Sequence, residues 1–178
     1  ETQISFMQTA DTVLMIEPVA FGFNEQTAAN NYFQTDNWNK DTQKNALEEF
    51  HQFVEILRSK GIHVITVTDT PEPHTPDSIF PNNWVSFGSD GTVILYPMFA
   101  PHRRAERRMD ILDFLKGKGF EMKKIIDLSH YENEGRFLEG TGSIIFDHDN
   151  RIAYGSVSQR LDESLFRRFC NEFQYESV

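Results

Sequence analysis

Thr75-Pro-Asp-Ser-Ile-Phe-Pro-Asn-Asn-Trp84 and, further along, Gly135-Arg-Phe-Leu-Glu-Gly-Thr-Gly-Ser143 decide how this chain reads. Each occupies the same place in a recurring order of elements: a helix, a strand, an irregular polar turn and a β-hairpin. Before the first stretch, His63-Val-Ile-Thr-Val-Thr68 is β-branched and predicts a strand. Pro71, Pro73 and Pro76 then impose an extended, non-helical passage. After it, Trp84–Phe87 and Thr92–Tyr96 flank Ser89-Asp-Gly91, the signature of a hairpin.

The second stretch repeats this setting. Lys124–Leu128 predicts a strand before it. Ser143–Phe146 and Ile152–Ser156 predict a hairpin after it, around Asp147-His-Asp-Asn150. Ahead of the first copy, Thr12–Ile16 reads as a buried strand ended by Pro18, and an Asn-rich connection runs from Phe23 to Trp38. Three helices complete the pattern. The first has Asp41 as N-cap, an inward face of Ala46, Phe50, Phe53, Val54 and Leu57, and Gly61 as its stop. The second is expected from about Arg103 to Lys116 with Ala105, Met109, Leu112 and Leu115 inward. The third runs from about Asp162 to Phe173 and buries Leu165, Phe166, Phe169 and Phe173. A strand should follow this last helix. The expectation is that it would begin where the sequence stops at Val178, so that the chain is a C-terminally incomplete single domain over 1–178.

A chain of 178 residues with 39% hydrophobic residues and sixteen Phe has enough apolar surface for a substantial core. A net charge of -10 and a pI near 5.0 exclude nucleic-acid binding and adsorption to anionic membranes as expectations. No apolar run approaches the roughly 18 residues of a bilayer span. Glu1-Thr-Gln-Ile-Ser-Phe lacks the basic and apolar regions of a secretory signal. Cys170 is the single cysteine, which rules out an intrachain disulfide and suits a reducing, cytoplasmic location. No His, Cys and carboxylate spacing resembles a metal site, and no phosphate loop or serine elbow is present. Neither metal nor cofactor is expected.

The chemistry is concentrated in the two stretches. The first offers Asp77, Phe80, Asn82 and Asn83 on a loop between a strand and a hairpin, although amides there also serve the turn's own backbone. The second offers Glu139 before Gly140-Thr-Gly142, where the glycines let the backbone turn and approach closely. A carboxylate among Phe137, Leu138 and glycines needs a cationic or hydrogen-bonding partner. Carboxyl and amide groups on two sides suit a planar cation with several N–H donors, such as a guanidinium. Arg103-Arg104 with Arg107-Arg108 sit poorly at a helix start, so they call for an anion: a substrate carboxylate, or Glu106 and its neighbours. Arg160 is another candidate for a carboxylate. Cys170, between Phe169 and Phe173, reads as a buried inert thiol.

Thr70–Trp84, Tyr96-Pro-Met-Phe-Ala-Pro, Arg103–Arg108, Phe137–Ser143 and Asn24–Gln34 together resemble amidinotransferase-related hydrolases of the citrulline-utilization type. These belong to the guanidino-group-modifying superfamily of arginine deiminase and dimethylarginine hydrolase. The resemblance implies an α/β fold: a pseudo-fivefold α/β propeller (pentein) of ββαβ units around a polar pocket, with about three units in this chain. It also implies a near-C-terminal cysteine that attacks the guanidino carbon and a histidine that serves as acid and base. Both would lie beyond Val178, which makes the remaining C-terminal segment a partner of this chain and the chain by itself inactive.

By the same resemblance, Glu139 is the catalytic acid that binds the guanidinium and orients the histidine. Asp77, Phe80 and Asn83 bind substrate, and Arg160, assisted by Arg103 or Arg104, takes its carboxylate. Three departures stand out. Asn83 replaces an aspartate, which points to a less charged, ureido-like substrate unless Asp77 supplies the charge. Glu17 precedes Pro18 where an arginine is usual. Cys170 lies in the wrong element for the nucleophile. The expected ligand is a guanidino or ureido amino acid such as arginine or citrulline. The alternatives are an amidinotransferase or a non-catalytic binding module, with homo-oligomerisation left open.

Overall fold

A computed structural model of the chain describes residues 8–28 and 41–178. The Glu1–Phe6 segment and most of the Asn-rich connection, including Trp38, lie outside the described residues. The chain divides into two compact units. One comprises Asp11–Pro81 and Ala100–Glu106; the other comprises Glu1–Ala10, Asn82–Phe99 and Arg107–Val178.

In the first unit, strand β1 (Thr12–Glu17), helix α1 (Glu25–Ala28), helix α2 (Thr42–Ser59) and strand β2 (His63–Thr68) follow in order, and a short helix α3 (Pro101–Arg104) joins them. β1 and β2 pair in parallel from Thr12↔His63 to Glu17↔Thr68, a connection that requires the intervening α2 crossover. Val64 and Ile65 of β2, with Ile16 and Val54, supply the buried apolar contacts. Gly61 ends the helix as expected, at φ +84°, with its N–H donated to Arg58 O. Two expectations for α2 fail. Asp41 stands at the N-cap but makes no side-chain cap hydrogen bond, because its backbone is already helical there. Phe53 is not inward but 53% exposed, and Ile56 beside it is 56% exposed. Among the described residues the helix rests on a sheet of two strands, which is too narrow to cover so wide an apolar stripe.

The second unit contains two successive ββαβ repeats. In the first, strands β3 (Val85–Phe87) and β4 (Thr92–Leu95) form the hairpin, helix α4 (Met109–Gly117) crosses over, and β5 (Lys124–Asp127) pairs parallel to β4. In the second, a short helix α5 (Gly140–Ser143) leads into the β6 (Ile144–Asp147) and β7 (Ile152–Gly155) hairpin. Helix α6 (Glu163–Phe173) then crosses to β8 (Glu176–Ser177), parallel to β7. The two sheets have orders β3-β4-β5 and β6-β7-β8. The strand expected to be missing after the third helix has therefore begun: Glu176 and Ser177 register with Ile152 and Ala153.

The single helix expected over Arg103–Lys116 is split. Helix α3 stops at Arg104, Arg108 is extended at φ −89° and ψ 105°, and α4 starts at Met109. One continuous helix would place four arginines against the positive end of its dipole. The break instead lets each of three find a carboxylate: Arg103 with Glu106, Arg107 with Glu132, and Arg108 with Asp110. The inward residues change accordingly. Ile111, Leu112 and Leu115 are buried, whereas Met109 and Ala105 are exposed. Helix α6 buries Leu165, Phe166 and Phe169 as expected, along with Cys170, while Phe173 is only partly buried, and its N-cap Asp162 accepts the Leu165 N–H at 2.7 Å. Its buried face joins Ile94, Tyr96, Leu138, Ile144 and Leu161 in one core cluster. Each fully buried large side chain there contributes about 1.5–3 kcal/mol of transfer free energy.

Candidate active site

The end of the first loop motif, from Asn82 on, and the whole of the second lie in the second unit. Asn83 ends a 3₁₀ turn, Pro81–Asn83, with Trp84 between it and β3. Glu139 immediately precedes α5 and the second hairpin. The two motifs precede successive hairpins, and these two residues meet: Asn83 Nδ2 donates to Glu139 Oε2 at 3.0 Å. Both residues are buried, Glu139 to 1% exposure. The same carboxylate accepts the Phe99 N–H on Oε1 at 3.1 Å. Arg160 Nη1 lies 3.9 Å from Oε2, and the backbone adds Glu139 N–H to Arg160 O at 3.1 Å. A desolvated charge is tolerable only with such company.

The glycines of the second motif explain how the loops come so close. A Cβ on Gly140 would stand 2.4 Å from Asn82 O, and one on Gly142 would stand 2.2 Å from Asn83 Nδ2. Asn82, read as a turn residue, holds the loops together from the outside through Thr141 Oγ1 at 3.1 Å. Behind Glu139, the backbone of Tyr96–Phe99 is pinned by a partly buried ion pair. Glu132 receives Arg107 on both oxygens, at 2.5 and 2.9 Å, and also accepts the Met98 N–H at 2.7 Å. Arg107 in turn donates to Tyr96 O at 3.3 Å. Fixing Met98 fixes the next amide, which is the one given to Glu139.

The remaining site candidates belong to the first unit. Asp77 is buried, and its Oδ2 accepts Asn24 Nδ2 at 2.9 Å. Its loop closes on itself through Ser78 N–H to Thr75 O and Phe80 N–H to Asp77 O, both 3.0 Å. Asp69, at the end of β2, holds the same loop by accepting the Thr75 and Ser78 hydroxyls. Arg103 is 3% exposed and forms a two-point ion pair with Glu106. Its Nη2 also donates to Asp77 O and Phe80 O at 3.4 and 3.3 Å. Phe80 is 47% exposed, a large apolar ring left at the loop surface.

Thus the structure assembles Asn83, Glu139 and Arg160 in one unit and Asp77, Phe80 and Arg103 in the other. Sequence reasoning did not single out Asn24, Asp69, Glu132 or the Phe99 amide as functional. Asp69 carried a signal, since it follows a β-branched strand at the end where loops bear function. Glu106 was visible as the arginines' local counter-ion. Asn24 opens one of the stretches that carry the resemblance, whereas Glu132 is brought in by tertiary contacts without a local signal.

Cys170 is buried, and desolvation pushes its thiol up to about 11, so it is a poor nucleophile at neutral pH. Among the described residues there is no group of three or more His, Cys, Asp or Glu fit to hold a metal. No helix among them is long and apolar enough to cross a membrane.

Residues 17–178 match the family described as N,N dimethylarginine dimethylhydrolase, eukaryotic. Among solved structures, the chain is similar to apo ArgZ, an arginine dihydrolase from the ornithine-ammonia cycle in cyanobacteria. The TM-score is 0.70 at 18% identity, over 94% of this chain and 23% of that one. It is also similar to DDAH from Pseudomonas aeruginosa, a mutant complexed with citrulline, with TM-score 0.64 and 15% identity over 94% of this chain and 59% of that one. Unliganded AgrE gives TM-score 0.64 and 20% identity over 89% of this chain and 21% of that chain. At these identities the likeness establishes the α/β fold. The chain spans 23% of the ArgZ chain and 56% of its separately solved N-terminal domain, a mutant bound to substrate. No curated protein matches the sequence.

Proposed function

The chain belongs to the family described as N,N dimethylarginine dimethylhydrolase, eukaryotic, and on that footing we propose that it supplies the substrate-holding part of a hydrolase acting on a C–N bond of a guanidino or ureido amino acid. The observation that carries this reading is the Asn83–Glu139 pair, one polar residue from each repeat, buried and hydrogen-bonded together. Solved relatives of this fold include one bound to substrate and one complexed with citrulline, which supports a small amino acid of this kind as the ligand.

In this reading Glu139 accepts N–H groups of the planar guanidinium, its carboxylate held in orientation by Asn83 and the Phe99 amide. Asn83 gives its nitrogen to Glu139, which leaves Oδ1 as the acceptor it presents to a ligand N–H. Arg160 takes the substrate carboxylate. Asp77 and Phe80 form a second holding element, Asp77 as acceptor and Phe80 as an apolar wall. Arg103 enters as the residue that holds this loop, through Glu106 and the carbonyls of Asp77 and Phe80, more than as a carboxylate ligand.

The reaction itself is proposed to be covalent. A cysteine thiolate adds to the guanidino or ureido carbon and the C–N bond to the leaving group breaks. The departing amine or ammonia takes a proton from a histidine, and water then cleaves the C–S bond. Cys170 is buried with a raised pKa, so the reactive cysteine in this proposal is a different one, outside 1–178, and the resemblance assigns the histidine to the same segment. The repeats fit a share of a pseudo-fivefold α/β propeller, with 1–178 as one continuous part of it and residence in the cytoplasm.

The test is turnover of arginine, dimethylarginine and citrulline by the natural polypeptide that carries this sequence, beside Glu139→Gln. Loss of one charged partner at such a site is expected to cost roughly 10²-fold or more in kcat/KM. Turnover within a few-fold of the parent would remove Glu139 from the mechanism.

A further inference from the structure

Where helix α6 lies against β5 and the turn that follows it, the second unit holds a cleft of about 220 Å³. None of the residues proposed above to hold substrate lines it. Its floor is apolar: Leu165 and Phe169 of α6 are buried, and Ile126 and Phe173 are only partly covered. Its rim is polar. Asp127 ends β5, His130 and Tyr131 belong to the 3₁₀ turn Ser129–Glu134, and Arg168 and Glu172 stand on α6.

Several of these rim groups lack partners. Tyr131 is 5% exposed, yet its hydroxyl makes no hydrogen bond among the described residues. A buried phenol ordinarily finds one. Its ring is well covered, by His130 at 4.2 Å between centroids and by the guanidinium groups of Arg136 at 5.0 Å and Arg168 at 5.8 Å. Arg136 is already engaged by Glu134, Asp162 and Ser164. Arg168 is not. Its neighbour Arg167 pairs with Glu163 one turn back at 2.9 Å, whereas Arg168 has no ion pair among the described residues, although Glu172 stands one turn on. Glu172 has no cationic partner among them either, and Asp127 spends only Oδ1, on the Ser129 N–H at 2.8 Å.

We propose that this cleft binds a free apolar α-amino acid of about leucine to phenylalanine size. The ligand carboxylate meets the Arg168 guanidinium and the Tyr131 O–H, and the α-ammonium meets Glu172 and Asp127. The side chain lies on the apolar floor, where burial of its surface supplies most of the affinity. The rim selects a zwitterion. A simple carboxylate would set an anion beside two acids, and a simple amine would set a cation beside Arg168. The floor rejects a charged side chain, since no counter-ion waits there. Size selects too: the cleft is smaller than the roughly 300–1,000 Å³ of sites for drug-sized ligands, and a partner's helix, about 10 Å across, is too wide for it.

Calorimetric titration of the natural polypeptide that carries this sequence tests the site. The probes are leucine and phenylalanine, their amines without the carboxylate (isoamylamine and phenethylamine), and their acids without the ammonium (4-methylpentanoate and 3-phenylpropanoate). At least one amino acid is expected to bind with a Kd on the order of 1 mM or tighter, and its two truncated analogues at least tenfold more weakly. Arg168→Gln should weaken the amino acid at least tenfold, whereas Arg167→Gln, on the neighbouring pair, should leave it within twofold. Tyr131→Phe should weaken binding several-fold and leave the unfolding midpoint of the free protein unchanged, because the hydroxyl has no bond to lose. A structural tyrosine would show the reverse. Arg168 is exposed, so its replacement is compatible with folding, and the comparison of analogues needs no variant. No saturable binding below about 10 mM, equal binding of a truncated analogue, or binding untouched by Arg168→Gln overturns the site. Self-association of the parent that Arg168→Gln weakens would make the occupant a second copy of this chain, and overturns it as well.

Discussion

Asn83 donates its side-chain amide to Glu139 Oε2 across 3.0 Å, and this one bond joins the turn of the first hairpin repeat to that of the second. It fixes which way the amide faces and spares Glu139 part of its desolvation cost. An amide can do this beside a carboxylate, and a second carboxylate cannot.

Asn83→Asp tests that relationship through pH. The substitution removes the donor and sets two carboxylates at hydrogen-bond distance, so the pair holds one proton more tightly than either acid does when unfolded. A group whose proton affinity is raised by folding contributes stability below its unfolded value, near 4, and that contribution is lost as pH rises through the folded value. The variant should be closest to the parent at pH 4–5 and fall behind by about 2–4 kcal/mol at pH 8. Urea unfolding at both pH values measures this. A difference that does not change with pH would mean that the two side chains move apart.

Gly140→Ala and Gly142→Ala should differ in kind. The Cβ at position 140 meets a backbone oxygen, Asn82 O at 2.4 Å, which can retreat only if the turn moves. The Cβ at position 142 meets the end of a side chain, Asn83 Nδ2 at 2.2 Å. Gly140→Ala is expected to cost about 2–3 kcal/mol by denaturant unfolding. Gly142→Ala should cost less in stability and proportionally more in ligand affinity, because relief comes from swinging Asn83 off Glu139. Equal stability losses with unchanged affinity would contradict this division.

The extent to which this was legible in sequence follows from the range of the forces involved. β2 was read residue for residue over His63–Thr68, because β-branched runs carry their own preference. Helix α6 was legible from its period and its Asp162 cap. The break between α3 and α4 was not, because it depends on Arg107 finding Glu132, a residue 25 positions away. Exposure of Phe53 was likewise hidden, since periodicity gives the apolar face of a helix but not the width of the sheet beneath it. At the site, repetition was enough to expect the two motifs at equivalent places in successive units, though not which residues of them would meet. The Phe99 amide had no signal at all, since any residue can supply an N–H.

The Arg107–Glu132 pair is expected to be strongly non-additive. Its side chains are only 15% and 9% exposed, and Glu132 also accepts the Met98 amide. Removing one partner strands a buried charge, so Glu132→Leu and Arg107→Met should each cost about 3–5 kcal/mol. The double variant should cost clearly less than their sum, and a double-mutant cycle by thermal or urea unfolding measures the coupling. Additive losses would show that the two charges are solvated independently.

Asp162 offers a local test of helix α6. Burial pushes its carboxyl up, but hydrogen bonds from the Ser164 hydroxyl, the Leu165 N–H and Arg136 outweigh it, and the net direction is down. A depressed carboxyl contributes stability above its unfolded value, and that contribution is lost as pH falls through the folded one. Asp162→Ala should therefore destabilise by about 1 kcal/mol at pH 7, the usual worth of an N-cap, and by less below pH 3. Circular dichroism during urea unfolding at the two pH values checks both the size and the sign.

Cys170 provides the sharpest separation between a structural thiol and a reactive one. Desolvation pushes it up to about 11 from an ordinary value of 9.0. At pH 8 the folded protein should therefore hold well under one thiolate per hundred molecules, and iodoacetamide should label Cys170 only as fast as the chain unfolds. Because the shift is upward, the thiol favours the folded state below pH 9, and that contribution declines as pH rises toward 11. Cys170→Ala, which keeps a small apolar group among Phe166, Phe169 and Phe173, should leave turnover of the natural polypeptide within twofold and lower stability by about 1–2 kcal/mol. Rapid native-state labelling, or loss of turnover in a folded Cys170→Ala protein, would make this thiol the nucleophile and bring the reactive cysteine inside this chain.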